Sequence, residues 1–328
     1  MVSQDQLEEW RAIQRDVAKN VEIEANDKYI SRKSGDDELL PINKHLPSLY
    51  NAHMVERQRK LIGGVDISFG KGNAAVAVYV IVEESTVVYQ DSLSFELSQP
   101  YVSSYLAFRE IDPLEKLIAR QKLNRPDITP EVIMVDGNGF LHERRAGIAC
   151  FVGVRTGIPS IGVGKTVYCT DGFTTDIVEN SIKQRMIHLA ALMDDFPDFE
   201  NCQHYDSQVI VNCQDPITPK SNSADAIDTL TVEDAVQIIS KHCQAYCIPM
   251  QGENGDILGA ALVCHGGRIR GRGGKSQVGT RNPIYVSIGH GISLQEALEL
   301  CVSVSNAKIP EPVRQADLIG RQIIRDAK

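Results

Sequence analysis

Two aspartates stand where aspartate is unfavourable. Asp66 lies within Gly63-Gly64-Val65-Asp66-Ile67-Ser68, and Asp136 closes the apolar run Val132-Ile133-Met134-Val135. Aspartate is a poor strand former and costly to bury. A carboxylate at the C-terminal end of a buried strand stands at the rim of a sheet, where α/β sites form. If these strands are neighbours the two carboxylates converge, and a divalent cation is the natural way to keep both ionised. Mg²⁺, with Mn²⁺ as a substitute, takes a few carboxylate oxygens plus water and phosphate oxygens, which suits phosphodiester hydrolysis. The pattern leaves a plainer alternative open, in which Asp66 caps a turn and Asp136 opens the loop Asp136-Gly137-Asn138-Gly139.

Competing motifs fail on particular residues. Gly164-Lys165-Thr166 resembles the end of a phosphate-binding P-loop, but Pro159 occupies the position of its first glycine. The glycine-rich loop after Asp136 departs from a calcium-binding loop at Phe140, and Gly147 replaces the closing glutamate. Cys202, His204, Cys213, His242, Cys243 and Cys247 include no Cys-x-x-Cys pair, which argues against a zinc site.

The elements that would position Asp66 and Asp136 read as a mixed α/β sheet. Residues 5–20 carry Leu7, Trp10, Ile13 and Val17 on one helical stripe. Residues 26–44 are polar and charged and read as a linker. Strand-like runs follow at 61–69, 74–82 and 86–95, and their short connectors predict antiparallel hairpins. Asp112 as N-cap and Pro113 at the first helical position predict a helix beginning at Pro113. A buried strand at 131–135, a helix at 142–156 and a strand at 159–163 come next. Three antiparallel strands followed by alternating helix and strand is the order of an RNase H-like fold. Residues 172–255 carry the weakest pattern and read as an insertion, with one helix near 232–246. Strands at 257–263 and 284–288 and a helix at 293–303 complete what is read as one domain.

The formal charge of -9 argues at first sight against a nucleic-acid partner. Its distribution matters more. No acidic residue lies between Asp256 and Glu296, a window holding Arg268, Arg270, Arg272, Lys275 and Arg281, which suits a phosphate backbone or a solvated loop. No apolar run is long enough to span a bilayer, and the first residues lack the basic-then-apolar layout of a secretory leader. Eight scattered cysteines point to reduced thiols inside a cell, in cytoplasm or nucleus.

Six segments, in order, resemble the endonuclease V family over roughly 60–170 and 257–326. They are Gly64-Val65-Asp66-Ile67-Ser68; Pro100-Tyr101-Val102-Ser103 with Leu106-Ala107-Phe108-Arg109-Glu110; and Val135-Asp136-Gly137-Asn138-Gly139 with His142. The others are Pro159 to Lys165, Pro283 to His290, and the tail Pro310 to Asp317, which is closer to the eukaryotic branch. Any one is weak, whereas six in order form a strong signal. The resemblance implies metal-binding roles for Asp66, Glu110, Asp136 and Asp317, and a catalytic or phosphate-contacting role for His142. It places Lys165 near the scissile phosphate, where it would offset developing charge. It also implies a wedge at Pro100-Tyr101, although the family's second proline is absent here. A half-buried tyrosine at a strand end is the alternative for Tyr101. Leu106, Gly137, Gly139, Gly147 and Ile148 match the family's base pocket.

The expected activity is therefore a magnesium-dependent endonuclease, acting as a monomer on the 3′ side of inosine in single-stranded RNA or DNA. The alternatives are an RNase H-like nuclease of other specificity and a non-catalytic reader of inosine-containing RNA.

Overall fold

Valine- and isoleucine-rich runs build the centre of the molecule. The computed structural model describes residues 2–23, 31–32, 39–40, 49–50, 59–195, 211–212, 230–242, 245–264, 269–270, 276–277 and 282–327. Helix α1 (Gln4–Asn20), capped by the Ser3 side chain, precedes the hairpins β1 (Leu61–Phe69), β2 (Ala74–Glu83) and β3 (Thr86–Glu96). Then come α2 (Ala107–Asn124), β4 (Val132–Asp136), α3 (Ile148–Thr156) and β5 (Ser160–Gly164). Next are α4 (Thr175–Asp195), α5 (Val232–His242), β6 (Ala245–Gln251) and β7 (Ile257–Cys264). The chain continues through β8 (Ile284–His290), α6 (Leu294–Ser303) and α7 (Glu311–Asp326).

These eight strands form one mixed sheet in the order β6-β7-β8-β5-β4-β1-β2-β3, with the short strand Leu49–Tyr50 beyond β6. β1 and β5 run parallel to β4, and the remaining neighbours among the eight are antiparallel. This is the RNase H-like arrangement expected from the element order. The edge strand β3 alternates exposed and partly buried residues, whereas the central strands are buried on both faces, as β2 shows. Its Ala77, Tyr79 and Ile81 join the main core with α2, while Val76, Val78, Val80 and Val82 face Ala316 and Ile323 of α7. That is period-two alternation with a helix on each side. Among the described residues, no helix is long and apolar enough to cross a membrane.

Several expectations are corrected. Helix α2 begins at Ala107, so Asp112 is not its cap and Pro113 lies inside it. Ala107, Ile111, Leu114 and Ile118 form one buried stripe through that proline. Burial of the stripe outweighs the missing amide at Pro113. Helix α3 begins at Ile148, because residues 142–147 turn about Arg145 at φ 54° and Gly147 caps the helix. The stretch 172–255 is not separable as a whole. Val178, Ile182, Met186 and Leu189 of α4 are core residues, and β6 is a buried strand of the sheet. The predicted linker 26–44 falls, apart from 31–32 and 39–40, outside the described residues. The side chains of the basic window between 265 and 281 do too.

Candidate active site

Strand register fixes the first two carboxylates. Val65 pairs with Val135 across the parallel β1–β4 ladder, so Asp66 and Asp136 follow as neighbours at the same sheet edge. The third comes from α7, which lies on β1 because that strand offers no side chain at Gly64. A Cβ there would stand 2.2 Å from the Pro312 carbonyl oxygen. This close approach sets Asp317 over the same edge.

The three carboxylates surround one ammonium group. Lys165, just past the end of β5, places Nζ 2.6 Å from Asp136 Oδ2, 3.5 Å from Asp317 Oδ1 and 3.9 Å from Asp66 Oδ1. Ser68 Oγ donates to Asp66 Oδ2 at 3.3 Å, and Arg321 Nε donates to Asp317 Oδ1 at 3.0 Å. Burial, then the neighbouring Asp136, pushes the Asp66 carboxyl up to about 8. Glu110, in the first turn of α2, is likewise raised to about 8, chiefly by burial, and it senses the charge of Asp136. Lys165 would be lowered by burial, but the carboxylates outweigh this and hold it above its ordinary value.

Carboxylates held this close, one buried and two partly so, need positive charge, and their hard oxygen donors fit a divalent ion of the magnesium type. Asp66, Asp136 and Asp317 would hold it; Glu110 is buried in the first turn of α2 and is not among the groups around Lys165. Among the described residues no group of three or more acidic, histidine or cysteine side chains is already at ligand spacing. The carboxylates are arranged about the Lys165 ammonium instead.

Beside this cleft lies a pocket of about 370 Å³, near the small end for ligand sites. Tyr101, Leu106, Gly137, Gly147, Ile148, His142 and Tyr168 contribute to its lining. Gly137 sits at φ 146°, and a Cβ there would meet Ile148 Cγ2 at 2.5 Å, so a side chain would strain the loop and crowd the pocket. Gly139 does not line the pocket. Its N–H donates to Ser287 Oγ at 2.9 Å, tying the loop to β8. Pro100 is exposed and outside the lining. Tyr101 is 71% exposed, which removes the alternative of a half-buried core tyrosine.

His142 is placed apart from the carboxylate cluster, in the pocket wall. Its Nδ1 accepts the Arg144 N–H at 3.2 Å, and its Nε2 lies 3.1 Å from the Ser104 carbonyl. That pairing assigns the proton to Nε2. Burial, then the charge of Arg144, lowers its pKa to about 4, so the ring is neutral and both nitrogens are engaged. Tyr168 stacks on it at 5.2 Å and donates to Ser104 Oγ at 2.7 Å. Ser104, at φ 68°, also accepts from Gln14 Nε2 at its carbonyl.

Sequence reasoning missed Ser68, Arg321, Ser104, Gln14 and Tyr168. Two left a signal: Ser68 is two residues from Asp66 on a strand, and Arg321 four from Asp317 on a helix, each on a shared face. Gln14 and Ser104 meet only through tertiary packing.

An RNase H-like sheet with carboxylates converging at the β1–β4 edge, beside a small pocket, defines a nuclease class. The Endonuclease V family model matches residues 46–198 and 250–318, and the chain belongs to that family. It is 34% identical to mouse endonuclease V over 80% of its own length and 60% of the mouse protein's. To human endonuclease V it is 30% identical over 88% of its length and 84% of the relative's. The catalytic domain of human endonuclease V superposes with a TM-score of 0.63 at 27% identity, covering 99% of this chain and 98% of that one. The Ciona intestinalis enzyme, solved with a 24-mer DNA containing an inosine followed by a ribo-adenosine, gives 0.62 at 21% identity, covering 99% of this chain and 100% of that one.

Proposed function

We propose that this protein is a divalent-metal-dependent endonuclease that hydrolyses a phosphodiester on the 3′ side of inosine in single-stranded RNA, with DNA as a second substrate. The observation that carries the reading is the meeting of Asp66, Asp136 and Asp317, from two strands and a helix, about one cationic centre beside a separate pocket. Magnesium, or manganese in its place, supplies when bound a Lewis acid for the phosphate and a lowered pKa for the attacking water. Asp66, Asp136 and Asp317 are the residues assigned to hold it, and Glu110, whose carboxyl senses the charge of Asp136, is the fourth acid that the resemblance assigns.

Lys165 carries its positive charge beside these carboxylates, where it offsets charge on the non-bridging oxygens of a phosphate. The pocket takes the base. Hypoxanthine presents an acceptor at O6 and a donor at N1, which backbone groups of the loop around Gly137 can read. A base enters only after leaving its stack, which costs least in single strands or at mismatches. Tyr101 stands at the mouth, exposed, as the stacking wedge. His142 shapes the wall as a neutral ring.

That all four acidic positions are present supports catalysis over passive reading. The mouse and human relatives support the eukaryotic branch, and hence RNA. Free thiols at Cys169, Cys264 and Cys301 support a reducing compartment, in cytoplasm or nucleus, and the reading is of a monomer. The test is cleavage of labelled single strands that differ only by inosine or adenosine at one position, in RNA and DNA versions. Cleavage confined to the inosine strands supports the proposal; equal cleavage of both would point to a nuclease of other specificity.

A further inference from the structure

Two large exposed aromatic side chains share one arginine. Phe69 ends β1 and is 51% exposed, while Tyr101 is 71% exposed. The Arg109 guanidinium lies 5.4 Å from the Phe69 ring centroid and 5.9 Å from that of Tyr101, so it bridges the two. Its Nε is buried and has no hydrogen-bond partner among the described residues. The rings serve different places, since Tyr101 lines the pocket and Phe69 lines the cleft of Asp66, Asp136 and Asp317.

A phenylalanine held half open at a carboxylate-lined cleft contributes nothing to the core and leaves apolar surface in water. Arginine on one face of each ring fixes the rings without covering them. Nucleic-acid strands are held on such surfaces, because every base has a face to stack whatever its identity. Resting on the function proposed above, we infer that Phe69 is a second stacking platform. It receives the base of a nucleotide 3′ to the inosine, while Tyr101 stacks at the inosine itself. Arg109 sets the spacing between them and bears on the strand as a positioning residue. The strand is then gripped on both sides of the bond to be cut, and the grip on the 3′ side is independent of base identity.

The probe is a set of single strands carrying one inosine and 2-aminopurine at one of the next three positions, whose fluorescence falls on stacking. Binding is followed in Ca²⁺ with wild-type protein, Phe69→Leu and Phe69→Trp. Wild type should quench the probe at one of those positions. Phe69→Leu should lose that quench and bind about tenfold more weakly, with preference for inosine over adenosine and melting temperature unchanged. Phe69→Trp should restore the quench.

Quench retained in Phe69→Leu, or seen at no position in wild type, overturns the inference. So does an affinity loss in Phe69→Leu accompanied by an equal loss of melting temperature. The same strands with adenosine in place of inosine separate the two claims. If wild type binds both alike, the inosine reading fails, while a Phe69-dependent quench still reports the stacking platform.

Discussion

Replacing Asp66 by asparagine should stabilise the metal-free protein while removing its cleavage activity. The Asp66 carboxyl is displaced from 3.8 to about 8, first by burial and then by Asp136. In the unfolded chain the group ionises near its ordinary value, so at pH 7 the unfolded state has released a proton that the folded state retains. The folded state is therefore penalised progressively as pH rises from about 4 towards about 8. Each unit of displacement corresponds to ~1.4 kcal/mol, which bounds the penalty at pH 7 near ~4 kcal/mol. Asparagine abolishes it, and the attraction of Lys165 is already contained in the displacement, so a net gain of at most ~4 kcal/mol is expected. Urea unfolding in EDTA, for wild type and Asp66→Asn at pH 4, 5.5 and 7, measures this. The two should coincide near pH 4 and diverge as pH rises, and Mg²⁺ should raise wild type more than the variant. A variant that is no more stable than wild type at pH 7 in EDTA, or a difference independent of pH, would refute the reasoning.

Tyr101→Ala should weaken binding to inosine strands by ~1–3 kcal/mol, the worth of a lost base stack, with melting temperature unchanged because the ring is exposed; a lowered melting temperature with unchanged affinity contradicts it. Gly64→Ala drives a methyl into the Pro312 carbonyl, so a loss of ~1–3 kcal/mol in urea unfolding should accompany loss of cleavage. His142 is held neutral with its pKa lowered to about 4. Its stability contribution is thus present above pH 6.5 and lost as pH falls towards 4, by ~1.4 kcal/mol per unit. Denaturation of His142→Gln should lack that share of the acid loss, and an identical pH profile would exclude it. Removing residues 232–251 should leave an insoluble protein, since β6 would go and expose β7; the yield of soluble protein decides.

Local pattern carried much of this architecture. The hairpins β1 to β3 and the strand ending at Asp136 are long apolar runs with short connectors, so period and punctuation suffice to place them. The convergence of Asp66 and Asp136 was conditional on their strands being neighbours, and the β1–β4 register supplies that condition. Asp317 was legible only by resemblance, because nothing local says that α7 closes onto Gly64. The start of α2 was misread since Asp112-Pro113 makes a good local start signal, and burial of Ala107 and Ile111 overrode it. β6 escaped notice inside a polar stretch, although its residues are buried once β7 pairs with them. His142 had a catalytic or phosphate-contacting role by resemblance alone; its Nδ1 accepts from Arg144, two residues along the chain, whereas only folding brings the Ser104 carbonyl to its Nε2.

The most direct test of the central claim is product mapping on one end-labelled RNA strand containing a single inosine, incubated with wild type or Asp66→Asn, in Mg²⁺ or in EDTA. The account predicts one cut, on the 3′ side of the inosine, with wild type in Mg²⁺ and none in the other three reactions. Cleavage by Asp66→Asn at the wild-type rate, or cleavage that persists in EDTA, would contradict it.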